Sequence, residues 1–341
     1  SWGTVLRYIS QLGRLLLFAG NLHTDDIFFS GDGETSEMSF STSSSSKRSN
    51  SEISWMVSSM FFKGSNVGEL AREIERSNAD LVSSVIDQAA IDRVFASSAG
   101  LSTVGIRHLV QQLCAVSNQE IHHKRQATFR MKEASNDMAA PRIFSLQRLV
   151  EVADFNMDSR SRIVWSDIWK ILSNHFARIG SHDNPQVAMY AIDSLRQLAQ
   201  KFTAKEELRD FNFQRLFMKP FETIMSTSPK VEIREFVLRC TEYLMRSRLP
   251  TIRSGWKSIF AVHSIAAKDS DADIAKLAWD TIEDLSTKHV SSLKYEFLEL
   301  IKCLLAFVEG PREELALSAV ELIGSLTQYL SQEMAESVYP T

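Results

Sequence analysis

The sequence lacks three features that would each assign it to a class of protein. Its 341 residues carry 38 lysines and arginines against 42 aspartates and glutamates, so the basic excess of a general nucleic-acid-binding protein is missing. Apolar runs such as residues 15–19 are far shorter than the roughly 20 residues that cross a bilayer. The three cysteines, Cys114, Cys240 and Cys303, are widely spaced in apolar helical contexts and form no Cys-x-x-Cys. This pattern predicts buried, reduced thiols of a cytosolic protein.

Motifs of common catalytic and metal sites are also missing. The chain has no Gly-x-x-x-x-Gly-Lys-Ser/Thr phosphate loop, no His-Glu-x-x-His and no Gly-x-Ser-x-Gly. Residues 269–273 resemble the start of a calcium loop, but Ile274 stands where that loop needs glycine. The adjacent His122 and His123 do not have the i, i+4 spacing of helical metal ligands. We therefore expect no catalytic residues, no metal and no cofactor, and an inter-helix turn with N-cap residues at 269–273.

Helical periodicity dominates the sequence, and no period-2 strand pattern is present. The helix predicted from Pro185 places one apolar stripe on one face, formed by Ala188, Ala191, Ile192, Leu195, Leu198, Ala199 and Phe202. Asn184-Pro185 and Ser228-Pro229 each offer an N-cap followed by a proline at the first helical position. These signals predict an all-α fold.

Leucines recur at a period typical of helical repeats. Leu149, Leu198, Leu244, Leu285 and Leu326 are separated by 49, 46, 41 and 41 residues. Armadillo and HEAT repeats have two or three helices and a similar period. Such a unit is too small to bury its own apolar face, so neighbouring units stack to form the core. We predict an armadillo/HEAT-like helical-repeat solenoid.

Composition divides the chain into two regions. Residues 1–140 form a predicted N-terminal helical region, with a serine-rich, disordered loop at 30–52 and a weak linker at 121–140. Residues 141–341 contain the repeats. The serine-rich loop is interpreted as a spacer, with phosphorylation after its basic residues as the alternative. Because the chain begins at Ser1 with a helical pattern, we expect it to be a segment of a longer protein.

The most distinctive stretch is IRSGWKSIF at residues 252–260. On a helix predicted to begin near Thr251, its isoleucines, tryptophan and phenylalanine form an apolar stripe, with Arg253 and Lys257 at its edge. One interpretation makes Trp256 a core anchor beside surface charges. The other makes the stretch a partner-facing edge, because tryptophan and arginine are enriched in binding hot spots. We expect the cations to be exposed, and the partner-binding candidates are Arg196, Arg234, Arg253, Trp256 and Lys257.

Several separated stretches together resemble one family. In order, they are SW, VL and ISQL within residues 1–12, LCAVS at 113–117, PRIFSLQRLVE at 141–151, WSDIW at 165–169, AIDSLRQL at 191–198, FNFQ at 211–214 with Phe217 and PFE at 220–222, and IRSGWKSIF at 252–260. The series is similar to the homology region downstream of the catalytic domain in the large Golgi Arf exchange factors of the brefeldin-A-inhibited class.

The resemblance implies a non-catalytic, regulatory segment. Members of this family exchange GDP for GTP on Arf GTPases through a separate domain that is not in this chain. The implied protein is cytoplasmic and is recruited peripherally to trans-Golgi or endosomal membranes in vesicle transport. The implied partners are a GTP-bound Arf-type small GTPase and the exchange domain of the same protein, because such segments contribute to autoinhibition and to its release.

Other functions stay open at this point. A general helical-repeat scaffold that binds a peptide or adaptor in its concave groove needs only the repeats. A membrane-surface module would use residues 1–18 as an interfacial helix, although this helix carries few basic residues. An enzyme has the weakest support, because no arrangement of a base, a nucleophile or a phosphate cradle is recognisable.

Overall fold

The computed structural model describes residues 2–19, 69–86, 88–122, 142–204, 213–293 and 296–338. Within these ranges the chain is helical and contains no strand, which confirms the all-α prediction. The chain forms two compact units, residues 1–164 and residues 165–341. The predicted loop at 30–52 and residues 123–140 of the predicted linker lie outside the described residues, and residues 121–122 end a helix. The start of the repeats near residue 141 stays a prediction.

The first unit contains five α-helices among its described residues. They are α1 (Trp2–Ala19), α2 (Glu69–Val85), α3 (Gln88–Ala96), α4 (Thr103–His122) and α5 (Phe144–Ser159). Helix α1 packs along α2 and α4, and α5 packs against α4 and α3. The core of this unit includes the fully buried Leu6, Ile106 and Leu149. The first leucine of the predicted series therefore faces a core.

The second unit is built from eight further helices among the described residues. They are α6 (Arg162–Gly180), which begins just before it, α7 (Pro185–Thr203), α8 (Phe213–Thr227), α9 (Val231–Arg248), α10 (Trp256–Ala267), α11 (Ala272–Lys288), α12 (Phe297–Val308) and α13 (Glu313–Val338). One layer is formed by α7, α9, α11 and α13, each packed on the next. A second layer is formed by α8, α10 and α12. This alternation is the predicted helical-repeat solenoid.

The repeat period follows the leucine spacing. The first-layer helices begin at residues 185, 231, 272 and 313, which are 46, 41 and 41 residues apart. Leu198, Leu244, Leu285 and Leu326 lie on these four helices, and all four are buried. Every residue of the predicted α7 stripe is also buried. The apolar stripe of each helix thus packs into a core shared with its neighbours.

Two of the predicted N-caps are confirmed and one is wrong. Asn184 accepts hydrogen bonds from the backbone N–H groups at the start of α7, and Asp271 does so at the start of α11. Ser228 does not cap α9, which begins at Val231. Its backbone N–H instead donates to the carbonyl of Ile224 over 2.9 Å, so Ser228 continues the last turn of α8.

The three cysteines are buried, as the sequence predicted. Burial raises the pKa of Cys240 to about 12 and that of Cys303 to about 12, so both are protonated thiols at neutral pH. Such thiols are poor nucleophiles. None of the described helices combines the length and the apolar character that crossing a bilayer requires.

Helix α10 carries a buried, neutral histidine. His263 is fully buried, with its Nδ1 2.9 Å from the carbonyl oxygen of Ile259. Its Nε2 has no hydrogen-bond partner among the described residues. Burial lowers the pKa of His263 from 6.5 to about 4, so the ring is uncharged at pH 7. Protonation would place an uncompensated charge in the core.

This histidine predicts acid sensitivity. The unfolded chain takes up the proton near pH 6.5 and the folded chain near pH 4. We therefore expect the free energy of unfolding to fall by about 3 kcal/mol from this group as the pH drops between these values. In urea unfolding at pH 7, 5.5 and 4, His263→Leu should reduce this fall in the free energy of unfolding and so flatten its pH profile. His289→Leu, at an exposed position, should not, and equal profiles for the two variants would contradict the prediction.

Candidate functional site

We call IRSGWKSIF, residues 252–260, the signature stretch, or the signature. It does not form one continuous helix. The prediction of a helix start near Thr251 is wrong, because α10 begins at Trp256. The preceding backbone is held by Gln214 of α8, which is 1% exposed. Its Nε2 donates to the carbonyl of Thr251 over 2.9 Å, and its Oε1 accepts from the N–H of Arg253 over 2.7 Å and of Gly255 over 3.4 Å. One buried amide therefore satisfies three backbone groups of the turn.

The same stretch links the start of α10 to the start of α8 by hydrogen bonds. The backbone N–H of Arg215 donates to Ser254 Oγ over 3.4 Å, and Ser258 Oγ donates to the carbonyl of Arg215 over 3.1 Å. A Cβ on Gly255 would lie 3.0 Å from Met218 Sδ, so glycine permits the close approach. The small residues of the signature thus have a packing role.

The aromatic residue of the signature belongs to the core. Trp256 is 1% exposed, and its ring is stacked on that of Phe260 at a centroid distance of 5.4 Å. The other stripe residues, Ile252 and Ile259, are equally buried. These positions favour the interpretation of Trp256 as a core anchor.

Two of the cations expected at the surface are buried, so that expectation is wrong. Arg196 forms an ion pair with Asp193 at 2.7 Å, and its guanidinium lies 4.7 Å from the centre of the Tyr243 ring. Arg234 donates to both carboxylate oxygens of Asp269, over 2.7 and 3.0 Å, and to the carbonyl of Ser228 over 3.1 Å. Each guanidinium is covered by the next repeat, which the sequence pattern of its own helix does not reveal.

The other two cations lie near carboxylates of α12. Arg253 is half-buried, and Lys257 Nζ is exposed and 3.6 Å from Glu299 Oε1. A hydrogen bond from Lys302, with a further contribution from Lys257, lowers the pKa of Glu299. Burial and the nearby Glu299 raise the pKa of Glu296. The predicted cation pair is therefore part of a mixed-charge cluster.

Two exposed leucines lie on the helices that pack against α10, and neither is among the residues predicted from the sequence. Leu216 of α8 is 49% exposed and Leu298 of α12 is 65% exposed. The positions 216, 257 and 298 are 41 residues apart, which is the repeat period. Contacts of Arg215 with Ser258, and of Lys257 with Glu299, bring the three helix starts side by side. We call Leu216, Lys257 and Leu298 the Leu–Lys–Leu row, and its spacing was the signal that could have found it.

A proline inside α8 gives a structural role to two of the stretches that resemble the family, residues 165–169 and 220–222. Pro220 has no N–H to donate to the carbonyl of Leu216, four residues earlier. The indole Nε1 of Trp169 donates to that carbonyl over 3.2 Å. The Trp169 ring is also stacked on Phe217 at a centroid distance of 3.8 Å. The indole thus compensates for the missing helix bond and packs on the same helix.

In the first unit, a buried carboxylate joins three helices. Glu120 of α4 accepts hydrogen bonds from the N–H and the Oγ of Ser145 at the start of α5, both over 2.9 Å, and from Ser10 of α1. A carboxylate at a helix start satisfies an unpaired N–H and interacts well with the helix dipole. Glu120 and Ser145 lie in or just after the stretches at 113–117 and 141–151. Among the described residues, no group of His, Cys, Asp or Glu is arranged to hold a metal ion.

Comparison with known proteins gives a consistent set of relatives. Residues 201–284 match the family described as Mon2/Sec7/BIG1-like, HDS. This range contains the Gln214 contacts, the signature and two of the three residues of the Leu–Lys–Leu row.

Along its length, the chain is similar to proteins named as exchange factors. It is 31% identical over 344 residues to the ADP-ribosylation factor guanine nucleotide-exchange factor sec72 of Schizosaccharomyces pombe, a match that covers 99% of this chain and 18% of that protein. It is 32% identical to the Brefeldin A-inhibited guanine nucleotide-exchange protein 3 of Arabidopsis thaliana, covering 98% of this chain and 19% of the relative. It is 38% identical over 247 residues to the human Brefeldin A-inhibited guanine nucleotide-exchange protein 1, covering 71% of this chain and 12% of the relative. The chain thus spans a fifth or less of the length of these relatives.

Proposed function

We propose, on the premise that this chain belongs to the Sec7/BIG1-like Arf exchange-factor family through its HDS segment, that it is a non-catalytic module that regulates nucleotide exchange. In this proposal the module binds a GTP-bound Arf-type GTPase at the trans-Golgi or endosomal membrane, and it contacts the exchange domain of the same protein to control autoinhibition. The support is the relationship to exchange factors along almost the whole chain, with an HDS match at 201–284.

The observation that carries the proposal is the Leu–Lys–Leu row beside the signature stretch. Leu216 is 49% and Leu298 65% exposed, and the hydrogen bonds of Gln214 hold the turn next to Leu216 in place. Large apolar side chains on a rigid, prearranged surface are suited to bind a partner with little loss of conformational entropy. Lys257 between them adds a cation that steers an acidic partner surface. Of the five partner-binding candidates, Lys257 is the one that this surface favours.

The Leu–Lys–Leu row predicts a loss of binding without a loss of fold. We expect Leu216→Ser combined with Leu298→Ser to weaken binding of Arf loaded with a non-hydrolysable GTP analogue at least tenfold, or about 1.4 kcal/mol. The helical circular dichroism should stay unchanged because both side chains are exposed. Calorimetric titration with GTP-loaded and GDP-loaded Arf, with and without liposomes, measures this effect.

A matched control is available in the first unit. Val104 is 70% exposed, and Val104→Ser should leave binding unchanged. Lys257→Ala is a cleaner test than charge reversal, because a glutamate at this position would face Glu296 and Glu299. Binding that is equal for GTP-loaded and GDP-loaded Arf, or insensitive to the double variant, would count against this site.

A general helical-repeat scaffold is the second candidate function. It is favoured by the repeat architecture of the second unit, which creates extended surfaces for peptides or adaptors. Binding of a partner that is not a GTPase, independent of nucleotide, would support it.

Liposome binding by the chain without Arf, abolished on removal of residues 1–18, would instead support the membrane-surface alternative.

A further inference from the structure

Helix α13 exposes positions whose equivalents are buried in earlier repeats. Val320 is 54% exposed. The residues 41 and 82 positions before it, Trp279 and Leu238, are 2% and 1% exposed. Thr327 is exposed as well, whereas Ser286, 41 positions earlier, is buried. The first-layer helices are thus equivalent in register and differ in what covers them.

The neighbouring helix α12 shows the same difference. Ile301 is half-buried, whereas Phe260, 41 positions earlier on α10, is 2% exposed. One turn further along, Leu305 is 45% exposed. We call Ile301, Leu305, Val320 and Thr327 the α12–α13 edge. The edge presents, on both layers, the face that an inner repeat uses to contact the next one.

The inner repeats show what kind of element fits this edge. Trp279 of α11 is covered by Phe307 of α12, with ring centroids 5.3 Å apart in an edge-to-face arrangement. Helix α13 occupies the register of α11, so its equivalent cover is a helix in the position of α12. A repeat that caps such an array has a polar outer face, whereas α13 exposes Leu317 by 61% in addition to Val320. Helix α13 therefore does not have the surface of a capping helix.

We propose that the α12–α13 edge binds a further amphipathic helical repeat of the same parent polypeptide. The relatives provide the additional length, because this chain spans 18% and 19% of two of them. Helix α13 contains glutamates, such as Glu313, Glu314 and Glu321, and no lysine or arginine. The occupant is accordingly a helix that places basic residues beside the glutamates of α13.

This proposal is compatible with an accessible Leu–Lys–Leu row. The position of Leu298 is equivalent to that of Lys257, whose side chain stays 44% exposed although α12 lies beside it. A further repeat would therefore cover Ile301 and Val320 and leave Leu298 partly accessible.

Thiol labelling tests the edge because the three native cysteines are buried. We would introduce Val320→Cys or Leu305→Cys into this chain and into the full-length parent protein, and measure the rate of maleimide modification. We expect both sites to react rapidly in this chain and at least tenfold more slowly in the parent. Lys276→Cys is the control, because the Lys276 side chain is 59% exposed and should give a site that reacts equally in both proteins.

Two results would overturn the proposal. Equal rates at Val320→Cys in the two proteins would show that nothing covers the edge. Protection in this chain alone that disappears on dilution would identify a second copy as the occupant. As a second measurement, Val320→Glu should lower the melting temperature of the parent and leave that of this chain unchanged, and equal shifts would also contradict the proposal.

Discussion

Replacing Asp269 with alanine is expected to lower the free energy of unfolding of the second unit by about 3–5 kcal/mol. Asp269 and its partner Arg234 have side chains only 7% and 10% exposed. The variant would leave the Arg234 guanidinium buried without a counter-charge. It would also remove the acceptor for the backbone N–H of Asp271, now bonded over 2.9 Å. Urea unfolding followed by circular dichroism measures the change.

Two further variants separate the ion pair from a general effect of losing a carboxylate. Asp280 forms an ion pair with Lys276 at 2.8 Å, and both side chains are more than half exposed. Asp280→Ala should therefore cost less than about 1 kcal/mol. The double variant Arg234→Met, Asp269→Leu should recover much of the lost stability, because an apolar pair carries no desolvation cost. A loss as small as that of Asp280→Ala would show that the buried pair does not hold the repeats together.

Glu120→Ala is expected to destabilise the first unit by a comparable amount, about 3–5 kcal/mol. The variant removes the acceptor for two hydroxyls and for the backbone N–H of Ser145, and each buried group left unpaired costs about 1–3 kcal/mol. Glu120→Gln keeps an oxygen acceptor and should cost less than half as much. Both changes can be measured by denaturant unfolding.

A neighbouring position on the same helix provides the control. Gln119 is exposed on α4, so Gln119→Ala should change the free energy of unfolding by less than about 0.5 kcal/mol. If Glu120→Ala were as mild as Gln119→Ala, the carboxylate would not be the link between α1, α4 and α5.

The Asp269→Ala variant also bears on the proposed function. The Arg234–Asp269 pair connects α9 to the turn before α11, and Arg312 donates to the carbonyl of Asp269 over 2.9 Å from the turn before α13. These contacts fix the rotation between successive repeats. The exposed residues on neighbouring repeats are held in one surface only while that rotation is fixed. Destabilising variants should therefore reduce partner binding together with stability, unlike changes in the Leu–Lys–Leu row.

The signature stretch shows how far local pattern can lead. Its periodicity placed Ile252, Trp256 and Phe260 on one apolar stripe, and the structure buries all three. It placed the helix start too early, because it gave no sign of Gln214. That amide lies 39 residues before Arg253 in sequence and supplies the hydrogen bonds that a first helical turn would otherwise leave unmade.

The sequence by itself determined the helical class, the 41-residue period of the later repeats, the buried stripes and two of the N-caps. The helical class, the stripes and the caps depend on residues within a few helical turns of one another, and the period is the regular recurrence of that local pattern along the chain. Only the tertiary structure decided that Arg196 and Arg234 are buried, and that Leu216 and Leu298 are exposed. The covering partners, Tyr243 and Asp269, come from the following repeats. The physical reason is that the exposure of a long side chain depends on what the neighbouring repeat places over it, which the pattern of one helix does not encode.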